Sequence, residues 1–88
     1  FVKPKSAFDK YVSAAVRKER MAQRVSQATL AYGIGVSAGF ISQVESPKSP
    51  SKYNLNHINE IAKFLGCSPR DFLPEKPLDV AYDAAPDP

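Results

Sequence analysis

The side chains able to do chemistry in this chain are few and scattered. It has one histidine, His57, and one cysteine, Cys67. A lone cysteine excludes an internal disulfide and a cysteine zinc site, and it suits a reducing, cytoplasmic setting. No pair of carboxylates stands where a general acid and a general base are needed together, and no glycine-rich loop of the phosphate-cradling type is present. Catalysis is therefore not expected, and neither a metal nor an organic cofactor is. The polar groups that remain are amides, hydroxyls and cations, among them Gln27, Ser37, Ser42, Gln43, Lys48 and Lys52. Their chemistry is hydrogen bonding and charge, which serves recognition rather than turnover.

The charge is unevenly placed. Residues 1–73 carry eleven Lys and Arg against five Asp and Glu, a net +6, whereas residues 74–88 carry one Lys against four acids, a net −3. A basic body with an acidic tail suggests a polyanionic partner, because neutralised phosphates release their counterions. The same charge also suits an ordinary solvated surface. At 88 residues the chain has room for one small domain with a marginal core. No apolar run approaches the length of a membrane span. The chain begins with Phe1 rather than Met, as expected of a fragment or of a protein whose leader lies outside the sequence, and no signal-peptide pattern is present.

The most constrained stretch runs from Gln27 to Ser46. Counted as a twenty-residue frame from Gln27, position five is Ala31 and position nine is Gly35. Leu30, Ile34, Val36, Ile41 and Val44 take positions four, eight, ten, fifteen and eighteen. Two short helices that cross steeply need a small residue where they touch, and Ala31 supplies it. The turn between them needs a residue that accepts positive φ, and Gly35 supplies it. The five apolar residues form an inner seam, and polar residues fall between them on the outer face. This is the frame of a helix-turn-helix.

The elements that hold this frame follow from capping and periodicity. Ser6-Ala7-Phe8-Asp9 has the form of a capping box and opens a first helix, with Phe8, Tyr11, Val12, Ala15 and Val16 at helical spacing, running to about Gln23. Ser26 and Ser37 are N-caps of the second and third helices, the third reaching Glu45 or Ser46. A loop rich in Ser and Pro follows. Asn54 caps a fourth helix with Leu55, Ile58, Ile61, Ala62 and Leu65 on one face, and Gly66 stops it. Ser68-Pro69-Arg70-Asp71 opens a short fifth helix, with Phe72 and Leu73 closing the core. The expected organisation is an extended arm over residues 1–5, in which Lys3 and Lys5 are placed to reach a phosphate, an all-α domain over 6–73, and an extended Pro-rich acidic tail over 74–88.

With these pieces in view, the sequence resembles the XRE-type helix-turn-helix domain of phage repressors and their bacterial relatives. The resemblance covers about residues 11–73. It is carried by Arg17 and Arg20, Ser26-Gln27-x-x-Leu30-Ala31, Gly35-Val36-Ser37, Ile41-Ser42-Gln43-Val44-Glu45, Pro50, and Ile61 through Pro69. It implies a compact five-helix domain, usually dimeric on DNA, with a structural ion pair between Arg20 and Glu45. Three departures stand out. Arg24 replaces a common glycine and must adopt a left-handed conformation. Ser46-Pro47 stands where a glycine is common. About three extra residues occur around Lys52-Tyr53-Asn54, so DNA contacts from this loop do not transfer directly.

In such domains the third helix enters the major groove of double-stranded DNA by its N-terminal residues. Here those are Ser37, Ala38, Gly39, Phe40, Ser42 and Gln43. Gln43 is the direct reader, since its amide can pair with adenine, and Phe40 is suited to thymine methyls or to a partner subunit. Ala38 and Gly39 let the backbone approach. No arginine is present for guanine, so an A·T leaning with shape readout is expected. Gln27 at the start of the second helix and Lys48, Lys52, Tyr53 and Asn54 are the phosphate candidates, with Arg17 and Lys18 behind them. The two lysines are equally readable as loop charges. His57 is expected at the surface or in a cap, and Cys67 as a small buried residue. Two functions stay open: a transcriptional regulator, expected as a repressor acting as a homodimer, and an antitoxin or adaptor that holds a protein partner through the tail, where Leu78, Val80 and Tyr82 alternate.

Overall fold

The computed structural model describes residues 5–78. Four α-helices follow one another: α1 (Ala7–Ala22), α2 (Gln27–Ile34), α3 (Ala38–Glu45) and α4 (Leu55–Leu65). A 3-10 turn, Pro69–Phe72, ends the series, and no strand occurs among the described residues. Residues 1–4 and 79–88 lie outside them, and with them most of the expected arm and the Val80 and Tyr82 positions of the tail.

The helices begin where short polar side chains answer the unpaired N–H groups of a first turn. The Asp9 amide donates to Ser6 Oγ at 3.0 Å and the Ser6 amide donates to Asp9 Oδ2 at 3.1 Å. Ser26 and Ser37 receive the amides of Thr29 and Phe40, each at 3.0 Å. Asn54 receives the His57 amide at 2.7 Å, and in return the Asn54 amide donates to His57 Nδ1 at 3.1 Å. The only histidine is thus part of a cap. Two helices end on left-handed glycines, α2 at Gly35 (φ 77°) and α4 at Gly66 (φ 72°).

The expected fifth helix is a single 3-10 turn. It spans four residues, starts with Pro69 at its first position, and closes when the Leu73 amide donates to the Arg70 carbonyl at 3.1 Å. Four residues leave no room for the longer i to i−4 ladder. The turn still delivers Phe72 into the core at 1% exposure.

Val16, Leu30, Ile41, Val44, Ile61 and Phe72 are the largest fully buried side chains, drawn from all four helices and the 3-10 turn. Ala31 is buried in the core, and α2 packs against α3. Gly33 lies against the ring of Phe64, where a Cβ would collide. Gln23, just past α1, donates from Nε2 to the Leu65 carbonyl at 2.7 Å and so ties the end of α1 to the end of α4. Burial raises the pKa of the half-buried Cys67 thiol, and Glu19 and Asp71 add to the effect.

Arg24 sits at φ 59°, the one non-glycine residue with positive φ among those described. Its Cβ crowds the following carbonyl, as in any left-handed L-residue. Arg24→Gly removes that crowding at some cost in chain entropy, and the net expectation is a gain of about 0.5–1 kcal/mol. A urea midpoint that rises at unchanged slope is the expected reading; a fall would mean that the turn depends on the arginine side chain.

Candidate nucleic-acid interface

Helix α3 has two faces. Ile41 and Val44 point into the core with no exposed surface. Ala38, Gly39, Ser42 and Gln43 lie on the solvent side, with Ser37 at the N-cap. The expected reading residues therefore share one exposed face, apart from Phe40. This face combines small residues, which allow backbone approach, with one amide, Gln43, that can donate and accept.

Phe40 is held inside the protein to a degree the sequence does not show. Its ring lies 4.9 Å from that of His57 and 6.1 Å from that of Tyr53, with Tyr53 and His57 themselves 6.1 Å apart. The tilted and edge-to-face geometries are those aromatic quadrupoles favour. The three rings tie the start of α3 to the start of α4, leaving Phe40 only partly exposed.

The other end of α3 is anchored by charge. Arg20 Nε and Nη2 donate to the two oxygens of Glu45, each at 2.9 Å, and Arg20 Nη1 donates to the Val25 carbonyl at 2.7 Å. The side chains are 10% and 5% exposed. Gln27 Nε2 also donates to Glu45 Oε1 at 3.0 Å, and Arg17 Nε stands 3.7 Å from that oxygen. Gln27, expected at a phosphate, thus uses its amide nitrogen inside the protein. As the first residue of α2 it still lies among N–H groups that have no partner within the helix.

The loop candidates divide. Lys48 is exposed. Lys52 pairs with Asp9, its Nζ 3.5 Å from Oδ2. Asn54 spends its carbonyl oxygen on the α4 cap. The Tyr53 hydroxyl, expected at a phosphate, is buried without a hydrogen-bond partner, and burial first, then Glu45, pushes its pKa far up. The extra residues around Lys52-Tyr53-Asn54 act as a spacer, an aromatic wedge and a helix cap. Lys5, expected in an extended arm, is also turned inward, donating from Nζ to the carbonyls of Val44 and Ser46. Sequence reasoning missed this contact and the approach of Phe40 to Tyr53 and His57, since the partners lie far apart along the chain.

Among the described residues, no group of three or more His, Cys, Asp or Glu stands together as metal ligands, and no helix is long and apolar enough to cross a membrane. The family model of the Cro/C1-type HTH DNA-binding domain matches residues 17–74. No curated protein matches the chain. Among solved structures, the restriction-modification controller protein C.AhdI from Aeromonas hydrophila is 26% identical, with a TM-score of 0.64 over 73% of this chain and 94% of that one. The P22 c2 repressor protein, solved in complex with a synthetic operator, is 31% identical, with a TM-score of 0.59 over 70% of this chain and 91% of that one. The hydroxypropylphosphonic acid epoxidase from S. wedmorenis is 18% identical, with a TM-score of 0.68 over 80% of this chain but 36% of that one, a likeness of fold alone.

The ion pair has a measurable signature. Arg20→Met leaves the Glu45 carboxylate buried without its guanidinium, with an expected cost of about 3 kcal/mol. Adding Glu45→Leu removes the stranded charge, and most of the loss should return in urea unfolding. A double variant no more stable than the single one would contradict this account of Glu45.

Proposed function

The chain belongs to the family of Cro/C1-type HTH DNA-binding domains, and from that premise we propose that it is a sequence-specific transcriptional regulator, acting as a repressor, that places α3 in the major groove as a homodimer. The carrying observation is the exposed face of Ala38, Gly39, Ser42 and Gln43 on a helix whose opposite face, Ile41 and Val44, is sealed in the core. A rigid helix with a slim outer surface fits a major groove about 12 Å wide. The likeness to a repressor solved with an operator supports the same reading. Two α3 helices in a dimer would meet half-sites about 34 Å apart, one turn of the duplex.

Each residue on this face has a distinct part. Gln43 reads a base edge, with adenine as its best partner. Ala38 and Gly39 set the depth of insertion. Ser37 and Ser42 hydrogen-bond to the backbone or to bases, and the partly exposed edge of Phe40 is left for a thymine methyl. Gln27 and the α2 N-terminus position one phosphate, and Lys48 and Asn54 flank the interface. Lys52 joins them if it leaves Asp9. With one amide reader and no arginine, base discrimination is modest and DNA shape contributes.

Binding to random duplex should fall steeply as salt rises, because phosphate contacts release counterions; affinity that ignores salt, or none at low salt, rejects the proposal. Gln43→Ala should lose about 1–3 kcal/mol of preference at one base pair and keep its affinity for random duplex. An unchanged preference removes Gln43 as the reader. Selection of bound sites from a random pool tests the dimer through the symmetry of the recovered sequence. The second reading, a module holding a protein partner through residues 74–88, predicts that deleting the tail abolishes that partner's binding while DNA affinity persists.

A further inference from the structure

The C-terminal ends of α2, α3 and α4 are closed in two ways. After α2 and α4 a left-handed glycine turns its N–H back: Gly35 donates to the Ala31 and Tyr32 carbonyls, and Gly66 donates to the Ala62 carbonyl. Helix α3 has no glycine at its C-terminal end. Ser46 after it is extended (φ −82°, ψ 125°) and returns one N–H, to the Gln43 carbonyl. Pro47 follows and has no N–H to offer. The last carbonyls of α3 therefore need a donor from elsewhere.

That donor is Lys5. Its Nζ donates to the Val44 carbonyl at 2.6 Å and to the Ser46 carbonyl at 2.7 Å, across 39 and 41 residues of sequence; the Ser46 carbonyl also accepts the Ser49 amide at 3.3 Å, so Val44 is the carbonyl that depends on Lys5. The residue is 4% exposed. An ammonium at a helix C-terminus meets the negative end of the dipole, and bonds from a charged donor are the strong kind. Lys5 directly precedes Ser6, the N-cap of α1. The start of α1 is thus latched to the end of α3, while Arg20, near the other end of α1, holds Glu45 in the same turn.

We propose that Lys5 is a positioning residue for DNA recognition: its ammonium replaces the missing glycine cap of α3 and fixes the turn that carries Gln43. This rests on the DNA-reading role proposed for α3. Gln43 immediately precedes Val44, whose carbonyl Lys5 holds, so slack in this turn moves the reading amide directly. Base contacts carry the discrimination and depend on the placement of this turn, whereas phosphate contacts carry the general affinity.

The test uses the full chain with Lys5→Met, which keeps the apolar stem and removes the donor, and Lys5→Arg, which keeps a donor on a long stem. Amide hydrogen exchange at Val44, Glu45 and Ser46 is compared with that in α2 and α4, and affinity for a duplex selected from a random pool is compared with affinity for random duplex. In Lys5→Met, exchange in the last turn of α3 should accelerate about tenfold relative to the other helices, and the selected-to-random ratio should fall about tenfold, with Lys5→Arg restoring most of both. Unchanged exchange overturns the cap. Faster exchange with an unchanged ratio overturns the positioning role. If the unaltered chain binds no duplex, the DNA reading and the positioning role both fail, and the exchange data still decide the cap. Should Lys5→Met not fold, Lys5→Arg decides: a protected last turn supports the cap, and a folded chain whose last turn exchanges freely overturns it.

Discussion

A carboxylate taken out of water must be met from several directions, and Glu45 is. The guanidinium of Arg20 closes on both of its oxygens, and the amide of Gln27 adds a third donor. The same guanidinium also holds the Val25 carbonyl in the turn between α1 and α2. One centre therefore joins α1, that turn, the first residue of α2 and the last residue of α3. Desolvation offsets much of the attraction in such a pair, so its weight lies less in net stability than in the cost of breaking any part of it. A shift of α3 along its axis would strand a buried charge.

With that end pinned, the rest of α3 is disposed by packing. Ile41 and Val44 seal the inner face, and the aromatic cluster of Phe40, Tyr53 and His57 holds the first turn against α4. Large side chains thus gather on the inner and lateral sides, and the outer face keeps small residues and two short polar ones beside Gln43. The anchoring and the exposed surface have one cause: the residues that fix the helix are the ones removed from solvent.

The linker between α3 and α4 shows how extra residues become structure. Tyr53 fills the space between the two helices at the expense of a hydroxyl without a partner, a loss that burial of its ring offsets. Lys52 returns to Asp9 in the first turn of α1, and Asn54 caps α4. Residues that look like a basic, hydrogen-bonding loop are largely occupied within the protein. Lys48 remains exposed.

Much of the fold is legible in the order of residues. Ser6, Ser26, Ser37, Asn54 and Ser68 cap the elements they precede, Gly35 and Gly66 end two helices, and Arg24 takes the left-handed conformation left by an absent glycine. Each of these depends on atoms within about four residues, a range at which backbone geometry leaves few choices. The apolar seam of α2 and α3 is readable for the same reason, since helical spacing alone puts its members on one side. Only the tertiary structure decides what the polar side chains do. Lys5, placed by sequence in an arm, closes α3 across 39 residues, and Tyr53, placed at a phosphate, packs partly buried against Phe40 and His57 with its hydroxyl enclosed. A cation or a hydroxyl is equally content with water, a carbonyl or a phosphate, and only the folded chain determines which of them is within reach.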